Sequence, residues 1–198
     1  YLHIPFCKQK CDYCDFYSLA GNADRMDDYM KALTLHLEEV APRTEGFMVD
    51  TVYIGGGTPS VLREEQLKRL LKTVEREYCL DRHCEFTVEV NPDSVTLGLL
   101  KTLYKGGVNR ISMGIQSCHD EELDMLNRPH TFAQAQEAVK MIRHAKFTNL
   151  NLDLIFGLPG QSMEQWQESV EAVLTLEPQH LSLYGLILEE GTPLWQRR

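Results

Sequence analysis

A chain of 198 residues with 43% hydrophobic content can bury a sizeable core, and its length fits one domain or one compact barrel. A net charge of −9 argues against nonspecific nucleic-acid binding, which needs a basic surface, and against docking on an anionic membrane. No apolar run approaches the roughly 18 residues that span a bilayer, and no signal-peptide pattern opens the chain. Six cysteines at this length suit a reducing, cytoplasmic setting better than a disulfide-stapled secreted fold.

The first expected strand covers residues 1–5 and runs into Cys7, Cys11 and Cys14, a C-x3-C-x2-C spacing with aromatic residues interleaved. Three thiolates on one short loop can hold three irons of a [4Fe-4S] cube, a cluster that usually takes four cysteines, so one iron is left open. Structural zinc would want four N or S ligands; no second C-x2-C or C-x2-C…H-x3-5-H pattern follows, and His3 is the one further candidate. Cys11 and Cys14 alone would read as a dithiol redox pair, but Cys7 and the lack of a helix former after Cys14 speak against it. Cys79, Cys84 and Cys118 read as reduced, partly buried small hydrophobes.

Met26, Met30, Leu33, Leu37 and Ala41 then mark one face of a helix. A strand over 51–54 leads into Gly55-Gly56-Gly57-Thr58-Pro59, and Leu67, Leu70, Leu71, Val74 and Tyr78 mark the next helix. Further strands are predicted over 85–90, with Glu89 near its end, and over 110–114, followed by Gln116. Thr131 with Gln134 and Ser162 with Gln165 read as capping boxes at two helix starts. Between those helices a strand over 149–155 carries Asp153, and a last strand over 180–188 holds Tyr184 and Gly185.

Six strands alternating with helices predict an α/β fold with right-handed crossovers and a parallel sheet. An open doubly wound sheet and a curved, incomplete barrel both satisfy that pattern. One domain over 1–198 is expected, since no linker or repeat interrupts it. The chain opens without Met on an apolar strand and stops soon after a strand-like segment, which reads as the core of a longer protein. Polar or glycine-rich groups fall where the strands end, which in parallel α/β architectures is the rim where sites form. The triple glycine lacks the Gly-Lys-Ser/Thr ending of a phosphate loop, but it lets backbone approach a ligand closely.

The cysteine spacing, with Tyr13 just before Cys14, resembles the radical S-adenosylmethionine (SAM) superfamily, in which the amino and carboxylate groups of SAM chelate the open iron. Further blocks narrow the resemblance: Tyr1-Leu2-His3-Ile4-Pro5-Phe6-Cys7, Gly55 to Ser60, Glu89-Val90-Asn91-Pro92, Gly107 to Ser117, Leu126-Asn127-Arg128, and Asn151 to Pro159. In this order they are similar to the oxygen-independent coproporphyrinogen III oxidase group, which includes the HemW-type heme chaperones. The resemblance runs nearly end to end and implies an incomplete (β/α)6 barrel.

It also implies a site. Cys7, Cys11 and Cys14 would hold the cluster, Tyr1 and Tyr13 would flank SAM, and Gly56, Gly57 and Thr58 would contact its methionine part. Glu89, Gln116, Arg128 and Asp153 would supply hydrogen bonds and charge, with Gly185 lining the adenine end. The oxidase pattern carries a fourth cysteine two residues after the third; here that position is Phe16. The Cys14-Asp15-Phe16 version is similar to the HemW type, which implies binding of heme and its transfer to an acceptor protein, with an electron donor such as flavodoxin or ferredoxin. The alternatives are the oxidase itself, which cleaves SAM and decarboxylates two propionates of coproporphyrinogen III, and a related radical SAM methyltransferase or ring-forming enzyme. The His-Asn…Tyr-Trp heme-associated motif of HemW proteins does not occur in these residues.

Overall fold

The computed structural model describes residues 1–21 and 23–197; of the predicted 1–198 span, Asn22 and Arg198 lie outside the described residues. The strands are β1 (Leu2–Ile4), β2 (Phe6–Cys7), β3 (Leu19–Ala20), β4 (Val49–Gly56), β5 (Leu80–Val90), β6 (Arg110–Gln116), β7 (Asn149–Phe156) and β8 (His180–Gly185). The helices are α1 (Met26–Val40), α2 (Glu64–Glu77), α3 (Leu97–Lys105), α4 (Asp120–Met125), α5 (Phe132–His144), α6 (Met163–Leu174) and α7 (Pro193–Gln196).

Six strands form one sheet in the order β1-β4-β5-β6-β7-β8, every neighbouring pair parallel. The spatial order follows the chain order and never reverses. A doubly wound sheet would start centrally and reverse, so this is the winding of an incomplete barrel, open between its β1 and β8 edges. Helices α1 and α2, α2 and α3, and α3 and α5 pack in succession along the sheet.

Parallel strands covered by helices read as near-continuous apolar runs. Accordingly Ile4, Ile54, Val88, Ile111, Leu152 and Leu154 are fully buried in one core. Helix α2 buries Leu67, Leu70, Leu71 and Val74, the predicted stripe; Tyr78, its C-cap, is half-buried and donates its hydroxyl to Leu37 O. Helix α1 buries only Met30 fully, because it lies over the edge of the sheet. Both predicted capping boxes form, at Thr131 with Gln134 and at Ser162 with Gln165.

The structure lengthens the strands predicted over 51–54, 85–90, 110–114 and 149–155. It shortens the first, which ends at Ile4 because Pro5 has no N–H to continue the ladder. The last stops at Gly185 rather than 188, since glycine weakens a strand that has no outer neighbour. The two-residue β2–β3 ladder is too short to show any periodicity in sequence. All six thiols are free, but Cys79, in the turn after α2, is exposed rather than partly buried. No helix among the described residues is long and apolar enough to cross a membrane.

Candidate functional site

The cysteine loop is held at its base and its back. At the base, Phe6 O in β2 accepts Thr58 N and Ile4 O accepts Gly57 N, both at 2.8 Å, so the first strand end is laced to the glycine loop. At the back, Asp12 N donates to Leu126 O at 3.1 Å and Leu194 N to Asp12 O at 2.9 Å. The Asp12 carboxylate takes Asn127 Nδ2 at 3.0 Å and Arg197 Nη2 at 2.7 Å. With its backbone pinned outward, the loop turns its three thiols inward.

Cys7, Cys11, Cys14 and Tyr13 line one side of a cavity of about 130 Å³. Gly56, Gly57, Thr58 and Glu89 line the next, and Gln116, Arg128 and Asp153 close it. The cysteine loop and the glycine loop therefore share one rim, at the carboxyl ends of their strands. Two predicted residues do not reach it. Tyr1, 75% exposed, lines an adjoining opening of about 250 Å³ with Gly56 and Glu89. Gly185 lies at the end of the edge strand β8, paired with Phe156, where the cavity does not extend.

The glycines are needed where they stand. Gly56 has φ +119, and a Cβ there would lie 2.7 Å from the His3 ring. A Cβ on Gly57 would lie 2.7 Å from Phe6 O and 2.9 Å from Cys7 Sγ. Below them Glu89 accepts from Tyr53 Oη at 2.6 Å and from Gly56 N at 3.1 Å. Burial raises its carboxyl above the usual range despite these donors. Burial likewise raises Asp153, which accepts from Asn151 Nδ2 at 2.6 Å. Two carboxylates held back from ionising are disposed toward a cation.

Arg128 is buried with its hydrogen-bonding capacity only partly filled. It is 9% exposed and donates Nη2 to Gly114 O at 2.8 Å and to Asn91 Oδ1 at 3.1 Å. Its Nη1 approaches Tyr13 Oη at 3.4 Å and Cys11 Sγ at 3.5 Å, while Nε has no partner among the described residues. Gln116 Oε1 and Ser18 Oγ, on the same cavity, are also buried without a partner. Buried polar atoms are rarely left so without a functional reason.

Asn91 and Ser112 were not singled out from sequence. Asn91 Nδ2 donates to Thr58 Oγ1 at 3.2 Å while its oxygen takes Arg128, and Ser112 Oγ accepts Asn151 Nδ2 at 2.8 Å. The period-2 relation of Asn91 to Glu89 and of Ser112 to Gly114 was the signal available.

A [4Fe-4S] cube suits this donor set. Among the described residues no three His, Cys, Asp or Glu side chains converge as a site for a single metal ion. A cube takes one thiolate per iron, and three thiols line this cavity. The buried guanidinium beside them suits an anionic cluster and a carboxylate.

The radical SAM superfamily model matches residues 1–173. The chain belongs to the radical SAM superfamily. Members of that superfamily use SAM and a [4Fe-4S] cluster. This radical SAM chain is 40% identical, over all of its length, to the heme chaperone HemW of Lactococcus lactis, and 38% identical over 97% of it to that of Bacillus subtilis. It spans about half the length of these curated relatives, 51% of each. Among solved structures it is similar to the coproporphyrinogen III oxidase HemN of Escherichia coli, a radical SAM enzyme. The TM-score is 0.87 at 28% identity, over 99% of this chain and 50% of that one.

Proposed function

We propose that residues 1–198 are the radical SAM core of a HemW-like heme chaperone, which binds heme and passes it to an acceptor protein. In this reading Cys7, Cys11 and Cys14 hold a [4Fe-4S] cluster, and SAM lies between the cluster and the glycine loop. Tyr13 covers one side of SAM, and Gly56, Gly57 and Thr58 admit its methionine part. Glu89 and Asp153 face its cationic groups, and Gln116 accepts a hydrogen bond. Tyr1 and Gly185 border SAM from the adjoining opening and the β8 edge. Arg128 carries the proposal: a buried guanidinium 3.5 Å from the Cys11 thiol, in the cavity that the other two thiols also line and with its Nε unpaired, fits the SAM carboxylate.

A cluster held by Cys7, Cys11 and Cys14 would supply one-electron reducing chemistry at this site, fed by a donor such as a flavodoxin or ferredoxin. The protein's own part is to orient the carboxylate through Arg128 and to exclude water with the loop pinned at Asp12. Phe16 stands where the oxidase pattern places a fourth cysteine, and this favours the chaperone over the decarboxylase. The likeness to HemN supports a second reading, an oxygen-independent coproporphyrinogen III oxidase. The deciding experiment mixes the full-length protein, its cluster reconstituted anaerobically, with heme and separately with coproporphyrinogen III. Stoichiometric heme binding without CO2 release upholds the chaperone reading; CO2 release overturns it in favour of the oxidase.

A further inference from the structure

Strand β6 ends in an irregularity that the sheet itself does not require. Its register against β7 shifts between Gly114 and Gln116, and Gln116 has φ +75, a left-handed conformation that L side chains avoid. The surroundings must therefore hold it. On one flank, Arg128 Nη2 donates to Gly114 O and His130 Nε2 lies 3.1 Å from Ile115 O.

The other flank is built around Glu122 of α4, 7% exposed and without an ion pair among the described residues. Its Oε2 accepts from the fully buried Ser117 Oγ, the residue after Gln116, and from Gln161 Nε2 at 3.2 Å. Ser117 Oγ accepts His119 N at 2.9 Å in turn. Gln161 Oε1 accepts Gly157 N at 2.9 Å, so the loop after β7 is tied to the same carboxylate. One buried carboxylate thus joins the ends of β6 and β7, and the Gln116 amide and Asp153 stand on those strands.

We infer that Glu122, bridging Ser117 and Gln161, is a positioning residue that holds the left-handed Gln116 with its amide facing the SAM cavity. This rests on the SAM reading above. Glu122 does not line the cavity, and its hydrogen bonds go to Ser117 and Gln161; it acts through the backbone next to Gln116.

The test uses Glu122→Leu, Gln161→Ala, Glu122→Gln and Gln116→Gly in the full chain, with two readouts. In cluster-free protein, amide hydrogen exchange at residues 116–119 and 157–158 should quicken in Glu122→Leu and in Gln161→Ala. In reconstituted protein, the SAM Kd of both should rise about tenfold with cluster absorption unchanged. Glu122→Gln keeps an acceptor oxygen for Ser117 and Gln161, and its Kd should stay within about threefold of wild type. In a Gln116→Gly background, Glu122→Leu should add no further loss, because the amide it positions is gone. Losses that simply add, or a lowered melting temperature with exchange and Kd unchanged, would overturn the inference. Gln161→Ala, at a half-buried loop position, carries the test if Glu122→Leu does not fold. A wild-type protein that takes up its cluster but binds no SAM defeats the SAM reading, and exchange then decides the clamp alone.

Discussion

Two cavities of the fold differ in kind. The larger, about 520 Å³, lies between α1, α2 and the first strands, lined largely by apolar side chains such as Leu33, Leu37, Val40, Val52 and Val74. The smaller, about 130 Å³, gathers three thiols, two carboxylates and a buried arginine. None of the buried polar atoms lacking a partner lines the large cavity, whereas Ser18 Oγ, Gln116 Oε1 and Arg128 Nε line the small one. Preplaced polar groups and backbone that would admit a ligand closely, rather than volume, set the small cavity apart as the candidate site. If that is right, substitutions around the small cavity change binding, and those around the large one change only stability.

The largest effect belongs to the thiols. Cys7→Ala, Cys11→Ala or Cys14→Ala should each abolish the visible iron–sulfur absorption of anaerobically reconstituted protein, while Cys79→Ala, Cys84→Ala and Cys118→Ala retain it. Absorption that survives all three loop substitutions, or that is lost equally with the other cysteines, removes the cluster from the small cavity.

Next comes a pH effect beneath the rim. His130 is buried near Arg128, and burial followed by the Arg128 charge lowers its pKa from 6.5 to about 4; the hydrogen bond to Ile115 O, then Asp93 and Asp120, oppose this. With the folded pKa below the unfolded one, the unfolded chain binds more protons between these values, so stability falls as pH drops through that window. The loss should reach on the order of 3 kcal/mol near the lower end. His130→Gln keeps an N–H for Ile115 O and should flatten that slope in urea melts between pH 6.5 and 4. An unchanged slope would show that His130 is not what makes the support pH-sensitive.

Much of the small cavity was legible in sequence because its chemistry sits in residue types: Cys7, Cys11 and Cys14 by spacing, Gly56 and Gly57 by adjacency, Glu89 and Asp153 at strand ends. The strand order and the rim followed from β/α alternation, although sequence alone left the open sheet and the barrel undecided. Asn91 and Ser112 went unseen because their roles depend on which strand lies beside which. Glu122 and Gln161 were invisible for a like reason: 39 residues separate two side chains that meet only after β6 and β7 pair. The large cavity was not legible as a cavity, since the residues that line it, such as Leu33, Leu37 and Val74, read in sequence only as helix stripes.

A smaller effect tests whether Arg128 serves a ligand or the fold. Arg128→Lys keeps the charge but loses the planar fork and the Nε donor. The SAM Kd in anaerobic titration should rise about tenfold, the scale of one charge-assisted hydrogen bond, with cluster absorption retained. An unchanged Kd would return Arg128 to a structural role and erase much of the difference between the cavities.

The smallest effect belongs to the large cavity. Leu33 is partly buried against the core on α1 and lines that cavity, so its methyls face space already open on one side. Leu33→Ala removes apolar contact without creating an enclosed void, and should cost about 1 kcal/mol, below the range for fully buried leucines. Urea denaturation of the cluster-free protein reads that loss directly. Cluster absorption and SAM Kd should match wild type, because no polar group at the rim hydrogen-bonds to Leu33. A Kd shift as large as that of Arg128→Lys would mean that the two cavities are coupled, and that cavity chemistry alone does not separate binding from stability in this fold.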